Sequence, residues 1–293
     1  MTPQSTKHTS KRQHMPYSLV SSLPKSTMNV LLLLLCLFLI FSKTFVSGDY
    51  PPYQYCPDTN NNNSTHTTDF NKNVDTLLVS LSSSASHLKF HSMSFGSAKN
   101  RSYGLYLCLR YLTPQACKTC VTMATQAITK LCPNSSDATV WEDVCQLRVS
   151  DQRFFGHLDL TGDISKYNTK TISEPEKFRS VVNSSLFSLA EQAAFNSSAR
   201  MYATKLVPFL STEKVYSLVQ CTLDLSPNDC LRCLKNAIVE VLGSGKYQFR
   251  GGRLLSKSCY LRYEFYAFYD GKTSEDPVAQ SECLHDSSRI SIV

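Results

Sequence analysis

The stretch CTLDLSPNDCLRC at residues 221–233 spaces three cysteines by eight and then two residues, and CLRYLTPQACKTC at 108–120 repeats the spacing. Cysteines at such intervals hold a metal, run thiol–disulfide chemistry or staple a fold, and the rest of the chain must separate the three. Sliding the sequence against itself by 113 residues extends the match. Tyr103, Leu105, Cys108, Leu112, Pro114, Cys117 and Cys120 fall on Tyr216, Leu218, Cys221, Leu225, Pro227, Cys230 and Cys233, and Cys145 meets Cys259 with one residue of slack. The chain is a tandem repeat. The expected division is a first cysteine-rich domain over 49–160, a second over 161–270 and a polar tail over 271–293.

Each unit carries the same coarse pattern. Phe70, Val74, Leu77, Leu78 and Leu81 recur at helical spacing, as do Phe178, Val181, Val182, Leu186 and Leu189. Alternating, aromatic-rich segments follow and read as strands: KFHSMSF and YGLYLCL in the first unit, RMYATKL and VYSLVQC in the second. Thr113-Pro114 and Ser226-Pro227 then open a second helix, the hydroxyl residue capping and the proline fitting the first turn. TVWEDVCQLRV and GRLLSKSCYLRYEFYAFY close the units as further strands. Two helices against an antiparallel sheet make an α+β module, twice over. Trp141, the one tryptophan, is expected in the first core.

The N-terminus assigns the compartment. Val30–Phe41 is an unbroken apolar run of 12 residues, preceded by Lys7, Lys11, Arg12 and Lys25. A bilayer span needs about 20, so a short apolar run behind a basic leader reads as a secretory signal peptide, here 1–48. The leader is long for that role, which makes Met15 and Met28 alternative starts. This segment holds five of the 30 Lys/Arg and none of the 23 Asp/Glu, leaving residues 49–293 near +2. A nucleic-acid partner would call for a concentrated basic patch, and no such run remains. With no second apolar segment in the tail, the expectation is a soluble protein outside the cell with no membrane anchor. Asn62, Asn63, Asn100, Asn134, Asn183 and Asn196 sit in Asn-x-Ser/Thr sequons, which in an exported chain mark glycosylated surface loops.

Export favours disulfides over metal or catalytic cysteines. The first unit has six cysteines, Cys56, Cys108, Cys117, Cys120, Cys132 and Cys145, and the second matches only four, Cys221, Cys230, Cys233 and Cys259. The counterparts of Cys132 and Cys56 fall on Gly245 and near Thr169. Two absences together are what a bridge lost as a unit would leave, which pairs Cys56 with Cys132; the remaining four cannot be sorted by sequence. Zinc is disfavoured because the two C-x-x-C pairs lie too far apart for one four-thiolate site. A redox role finds support in the C-x-x-C spacing at a helix start, yet a third cysteine eight residues earlier fits a staple network better. Cys283 is odd, either free or bridged to another chain. The histidines are scattered, no nucleophile–base constellation appears, and no enzyme, cofactor or metal site is expected.

These phrases, VQCTLDLSPNDCLRCL and GGRLLSKSCYLRYEFYAFY above all, resemble the plant cysteine-rich repeat secretory proteins, whose module is that of the antifungal seed protein ginkbilobin. The likeness spans roughly residues 50–270. It implies a five-stranded antiparallel sheet packed with two helices in each unit. It also implies the pairing Cys56–Cys132, Cys108–Cys117, Cys120–Cys145, Cys221–Cys230 and Cys233–Cys259. Mannose binding in that module uses an Asn after the first cysteine position, an Arg six before the last cysteine and a Glu five after it. Here those positions are Asn168, Arg253 and Glu264, while the first unit has Pro57, Thr139 and Ser150. The resemblance implies a lectin-like defence or stress protein of the apoplast. Two other readings stand beside it: a scaffold binding cell-surface proteins, with Arg253 and Glu264 only a cross-strand ion pair, and a thiol–disulfide redox protein.

Overall fold

In the computed structural model, which describes residues 50–57, 68–97, 100–133, 135–243 and 245–269, the chain builds two sheets and four helices. The expected signal segment, Asn62, Asn63, Asn134, the tail and Cys283 lie outside the described residues. The first set of elements is β1 (Tyr53–Tyr55), α1 (Thr68–Ser84), β2 (Phe90–Phe95), β3 (Ser102–Cys108), α2 (Pro114–Leu131), β4 (Asp137–Trp141) and β5 (Cys145–Ser150). The second is β6 (Ile164–Tyr167), α3 (Pro175–Phe195), β7 (Tyr202–Phe209), β8 (Glu213–Cys221), α4 (Pro227–Val241), β9 (Gly252–Leu255) and β10 (Cys259–Glu264). Both sheets are antiparallel and five-stranded, in the orders β1-β4-β5-β3-β2 and β6-β9-β10-β8-β7. The fold is α+β, two modules of one design.

The second helix of each module starts as its sequence dictates. Thr113 Oγ1 accepts from Ala116 N at 3.2 Å and Ser226 Oγ from Asp229 N at 3.1 Å, with Pro114 and Pro227 in the first turn. Cys117 and Cys120 then lie one turn apart on α2. Facing them, Cys108 and Cys145 sit directly opposite each other on β3 and β5. Bonds Cys108–Cys117 and Cys120–Cys145, with Cα–Cα 5.6 and 6.1 Å, fasten one helix face to two adjacent strands. Cys221–Cys230 and Cys233–Cys259 repeat the clamp on α4, at 5.7 and 6.1 Å. The spacing of eight and then two residues is therefore a strand, a turn and one helical turn.

The fifth bond, Cys56–Cys132, ties the chain after β1 to the C-cap of α2. The second module has neither cysteine. There the backbone bonds Arg250 N→Lys170 O (2.9 Å) and Ile172 N→Gln248 O (2.8 Å) hold the segment after β6 to the one before β9.

Each module has its own core between sheet and helices, around Leu77, Leu81, Tyr106 and Leu147 in the first and Phe178, Leu186, Leu189 and Leu234 in the second. Trp141 belongs to neither, which corrects the expectation that it packs in the first core. Its side chain leaves β4 on the face away from α1 and α2. It is buried with Leu109, Leu218, Leu255, Tyr260 and Tyr269 in a third cluster that joins the two sheets. The indole explains the placement, since its N–H needs an acceptor when buried. Nε1 donates to Ser256 O of the second module and to Gln146 Oε1, each at 3.2 Å.

Two glutamines bridge the same junction, Gln146 Nε2→Lys257 O (3.0 Å) and Gln220 Nε2→Cys108 O (3.0 Å). Beside them lies a charged knot. Arg148 contacts Asp137 at 3.1 Å and Asp159 at 2.8 Å, and Lys257, 1% exposed, contacts the same two carboxylates at 3.4 and 3.1 Å. Burial alone would raise Asp159, but hydrogen bonds from Thr161 and the charges of Arg148 and Lys257 outweigh it and hold the carboxyl at about 2.

Asp163 behaves oppositely. Burial lifts it to about 6, opposed by a Ser256 hydrogen bond and Lys257 and reinforced by Asp159 and Glu240. A carboxyl raised in the folded state holds its proton more tightly there, so its penalty on stability is absent below the unfolded value and complete above about 6. Asp159, lowered, contributes stability that is present above its unfolded value and lost only as pH falls through about 2. Thermal melts followed by Trp141 emission should therefore show the midpoint falling by a few degrees as pH rises from about 4 to about 7. Asp163→Asn should flatten that slope. An equally steep slope in the variant would assign the effect to another group.

Candidate functional site

The three residues implicated by the family resemblance lie on the β6–β9–β10 side of the second sheet, on the face that looks away from α3 and α4. Strand register aligns Lys166 of β6, Arg253 of β9 and Arg262 of β10 side by side. One step along, Asn168 leaves the end of β6 with its N–H bonded to Gly251 O at 2.9 Å. Asn168 Oδ1 accepts from Lys170 N at 2.9 Å, a local turn that fixes the side chain. Its Nδ2 donates to Glu264 Oε2 at 3.4 Å.

The glycine pair makes this contact available. A Cβ on Gly251 would collide with the Glu264 carboxylate, and one on Gly252 would sit 2.9 Å from the Tyr263 hydroxyl. Bare backbone at 251 lets the carboxylate lie across β9 and reach Asn168.

Arg253 does not join them. Its Nη1 contacts Asp143 Oδ1 at 2.9 Å, its Nη2 donates to Tyr53 OH at 3.1 Å, and its guanidinium lies 5.3 Å from the Tyr53 ring. Both partners belong to the first module. The structure thus brings Asn168 and Glu264 together and turns Arg253 toward the junction. The cross-strand Arg253–Glu264 ion pair considered from sequence is replaced by two separate pairs, Arg253–Asp143 and Arg262–Glu264.

Arg262 is the residue that sequence reasoning missed. Its Nη2 contacts Glu264 Oε1 at 3.4 Å and donates to Tyr266 OH at 2.7 Å, and its guanidinium lies 4.5 Å from the Phe268 ring. Alternation along β10 could have found it, since Arg262 and Glu264 must share a face. Burial works against its charge, but Tyr260, Tyr266, Glu264 and Asp143 more than compensate and raise its pKa. Nearby, burial first, with the proximity of Tyr260, pushes the Tyr111 phenol up to about 12. The site is a row of fixed cations walled by phenols.

In the first module the corresponding positions offer no such edge. Pro57 is exposed, while Thr139 and Ser150 are buried. Of the predicted glycosylation sites that can be placed, Asn100 is half-buried, Asn183 is exposed and Asn196 is exposed. Asn183 departs from the expectation of a loop, because it lies inside α3.

The cysteines at C-x-x-C spacing are joined to strand cysteines and not to each other, and Cys117, Cys120, Cys230 and Cys233 are buried. Exchange requires a thiolate to reach a sulfur, and this geometry denies it. Among the described residues no group of three His, Cys, Asp or Glu could hold a metal ion, and no helix is long and apolar enough to cross a membrane.

A Gly251→Ala variant should displace the Glu264 carboxylate and cost about 1–3 kcal/mol of stability, read by urea unfolding. An unchanged midpoint would mean that Glu264 does not need the bare backbone beneath it.

Comparison with known proteins places the chain. The family described as Salt stress response/antifungal matches residues 55–152 and 165–266, and the chain belongs to it. It is 35% identical to an antimicrobial ginkbilobin-2-like protein of Castanea crenata over 222 residues, 75% of this chain and 89% of that one. It is 33% identical to cysteine-rich repeat secretory protein 55 of Arabidopsis thaliana over 215 residues, 71% of this chain and 80% of that one. It is also 36% identical to cysteine-rich receptor-like protein kinase 5 of Arabidopsis thaliana over 67% of this chain, but spans only 30% of that relative's length. Among solved structures, the tandem DUF26 ectodomain of the cysteine-rich receptor-like protein PDLP8 from Arabidopsis thaliana superimposes with a TM-score of 0.62 at 26% identity. That match covers 75% of this chain and all of the other.

Proposed function

We propose that this member of the salt stress response/antifungal family is a defence-related protein of the extracellular space that binds mannose-type glycans through its second module. The contact of Asn168 with Glu264 over the Gly251 backbone carries the proposal. A carboxylate accepts from sugar hydroxyls and an amide both donates and accepts, and here the two groups are held together at a sheet edge instead of being scattered. The names of two relatives, one antimicrobial and one secretory, support the defence and extracellular parts. Five buried or half-buried disulfides suit an oxidising compartment, the apoplast. The kinase relative is matched over only 30% of its length, so its catalytic name is not carried over.

The mode of Arg253 follows from its contacts. It holds the first module's Asp143 and Tyr53, so the sugar edge is stiffened from across the junction. A bound saccharide would meet a preorganised surface, which lowers the ordering cost of association.

A glycan array probed with the disulfide-intact protein tests this. Mannose-type glycans should be retained by the parent chain and lost in Glu264→Ala, by at least about tenfold, the worth of a hydrogen bond to a charged group. A folded parent chain that retains no glycan would sink the sugar site and leave a disulfide-stapled scaffold whose partners are proteins.

A further inference from the structure

The cation row bears on what kind of sugar this edge takes, and the two modules supply a comparison within one chain. Like charges directly opposite on neighbouring strands are destabilising, yet Lys166, Arg253 and Arg262 occupy three adjacent register positions. In the first module the matching row is Tyr55, Thr139 and Arg148, with a single cation.

Arg148 and Arg262 are equivalent, each three residues after the closing cysteine. Each lies against an aromatic ring six residues further on, Phe154 at 4.2 Å and Phe268 at 4.5 Å. Their acids differ. Arg148 is met by two carboxylates: Asp137 takes both Nε and Nη2 at 3.1 and 3.3 Å, and Asp159 approaches to 2.8 Å. Arg262 has Glu264 alone, at 3.4 Å on Nη2, and its buried Nε makes no hydrogen bond. The position of Asp137 is held in the second module by Gly251, one residue beyond the Gly252–Tyr263 pair and lying against the Glu264 carboxylate, where Asp137 pairs with Ser150. A carboxylate that completes the arginine in one module is absent from the other.

Arg253 shows what an acid does at this edge. It is gripped by Asp143, a residue of the β4–β5 turn with a side chain 60% exposed. An exposed turn carboxylate is one that a ligand carboxylate can replace without opening the core.

We infer that the Lys166–Arg253–Arg262 row is a subsite for an acidic saccharide, a sugar chain carrying carboxylates such as uronic acid residues. Arg253 and Arg262 pair with the carboxylates, Asn168 and Glu264 meet hydroxyls, and Asp143 competes for Arg253. Arginine forks match carboxylates in a planar, two-point geometry, and Tyr266, half-exposed beside Arg262, offers a face for a sugar ring. This inference rests on the saccharide reading of the same edge and adds a carboxylate subsite to it.

The probes are a galacturonic acid trimer, its methyl ester and a mannose trimer, titrated calorimetrically into the intact protein. The acid should bind at least about tenfold more tightly than its ester, and the difference should shrink as salt rises. Arg262→Ala should remove the preference. Asp143→Asn should strengthen binding of the acid several-fold, a gain that misfolding cannot produce. Equal binding of acid and ester, or binding of the mannose trimer alone, overturns the acidic subsite and leaves the sugar site standing. No binding of any probe by a protein with its native melting profile overturns both. A weakened acid response in Asp143→Asn overturns the competition and with it the assignment of Arg253.

Discussion

Everything in each module hangs on one helix turn. Cysteines three apart on α2 and α4 face two strand cysteines that are register partners, so two bonds leave one helix face and enter adjacent strands. That geometry fixes the helix against the sheet in position, rotation and tilt together. A module of about 100 residues has a modest core, and bridges of this kind add about 2–4 kcal/mol each, chiefly by limiting the unfolded chain. With the helix pinned, the inward residues of the sheet have one surface to pack on. The opposite faces are released to meet the other module.

That second surface is where the modules stop being equal. The first spends its outward face on buried Trp141, Gln146 and Arg148, set against the half-buried acids Asp137 and Asp159 and buried Lys257 from the second module. Charges taken out of water are tolerated only when paired and hydrogen-bonded, and here two cations share two carboxylates. The knot confers specificity of docking more than raw stability, since a shifted junction would leave a charge alone. The second module contributes Leu218, Leu255 and Tyr260 to the same contact, with Arg253 and Lys166 reaching Tyr53 of the first, while Asn168 and Glu264 pair with each other.

Much of the fold was legible in the sequence because its signals were local or repeated. Thr113-Pro114 and Ser226-Pro227 announce helices wherever they occur, and the offset of 113 residues marks the repeat without any structural knowledge. The short edge strands β1 and β6 were not legible from pattern. Three or four residues give no alternation to detect, so the fifth strand of each sheet came only from family resemblance. GRLLSKSCYLRYEFYAFY also hides its end: pairing stops at Glu264, and Phe265, Phe268 and Tyr269 turn back onto the clusters. Trp141 was misplaced for a related reason. Hydrophobicity predicts burial, and alternation predicts a face, but neither says that the outer face of a sheet is itself covered. The site divided the same way. Asn168 and Glu264 are neighbours through strand register, whereas the partners of Arg253 lie more than a hundred residues away, beyond any local signal.

The two modules put the same outward face to different uses. A residue buried under a sister module cannot also admit a ligand. Once the outward face of the first sheet had closed over the junction, Thr139 and Ser150 were buried and a sugar-binding side chain at either place would have been sealed away. Asp137 pairs with Arg148 and, through Lys257 of the second module, holds the joint. The second module has Gly251 where the first has Asp137, and there Arg253 reaches across to Asp143 and Tyr53 while Glu264 pairs with Asn168. Its Arg262 is consequently the less neutralised of two equivalent arginines. Asymmetry between the copies thus follows the docking: the first sheet buries Thr139 and Ser150 under the joint, and the second sets Asn168 against Glu264 beside it.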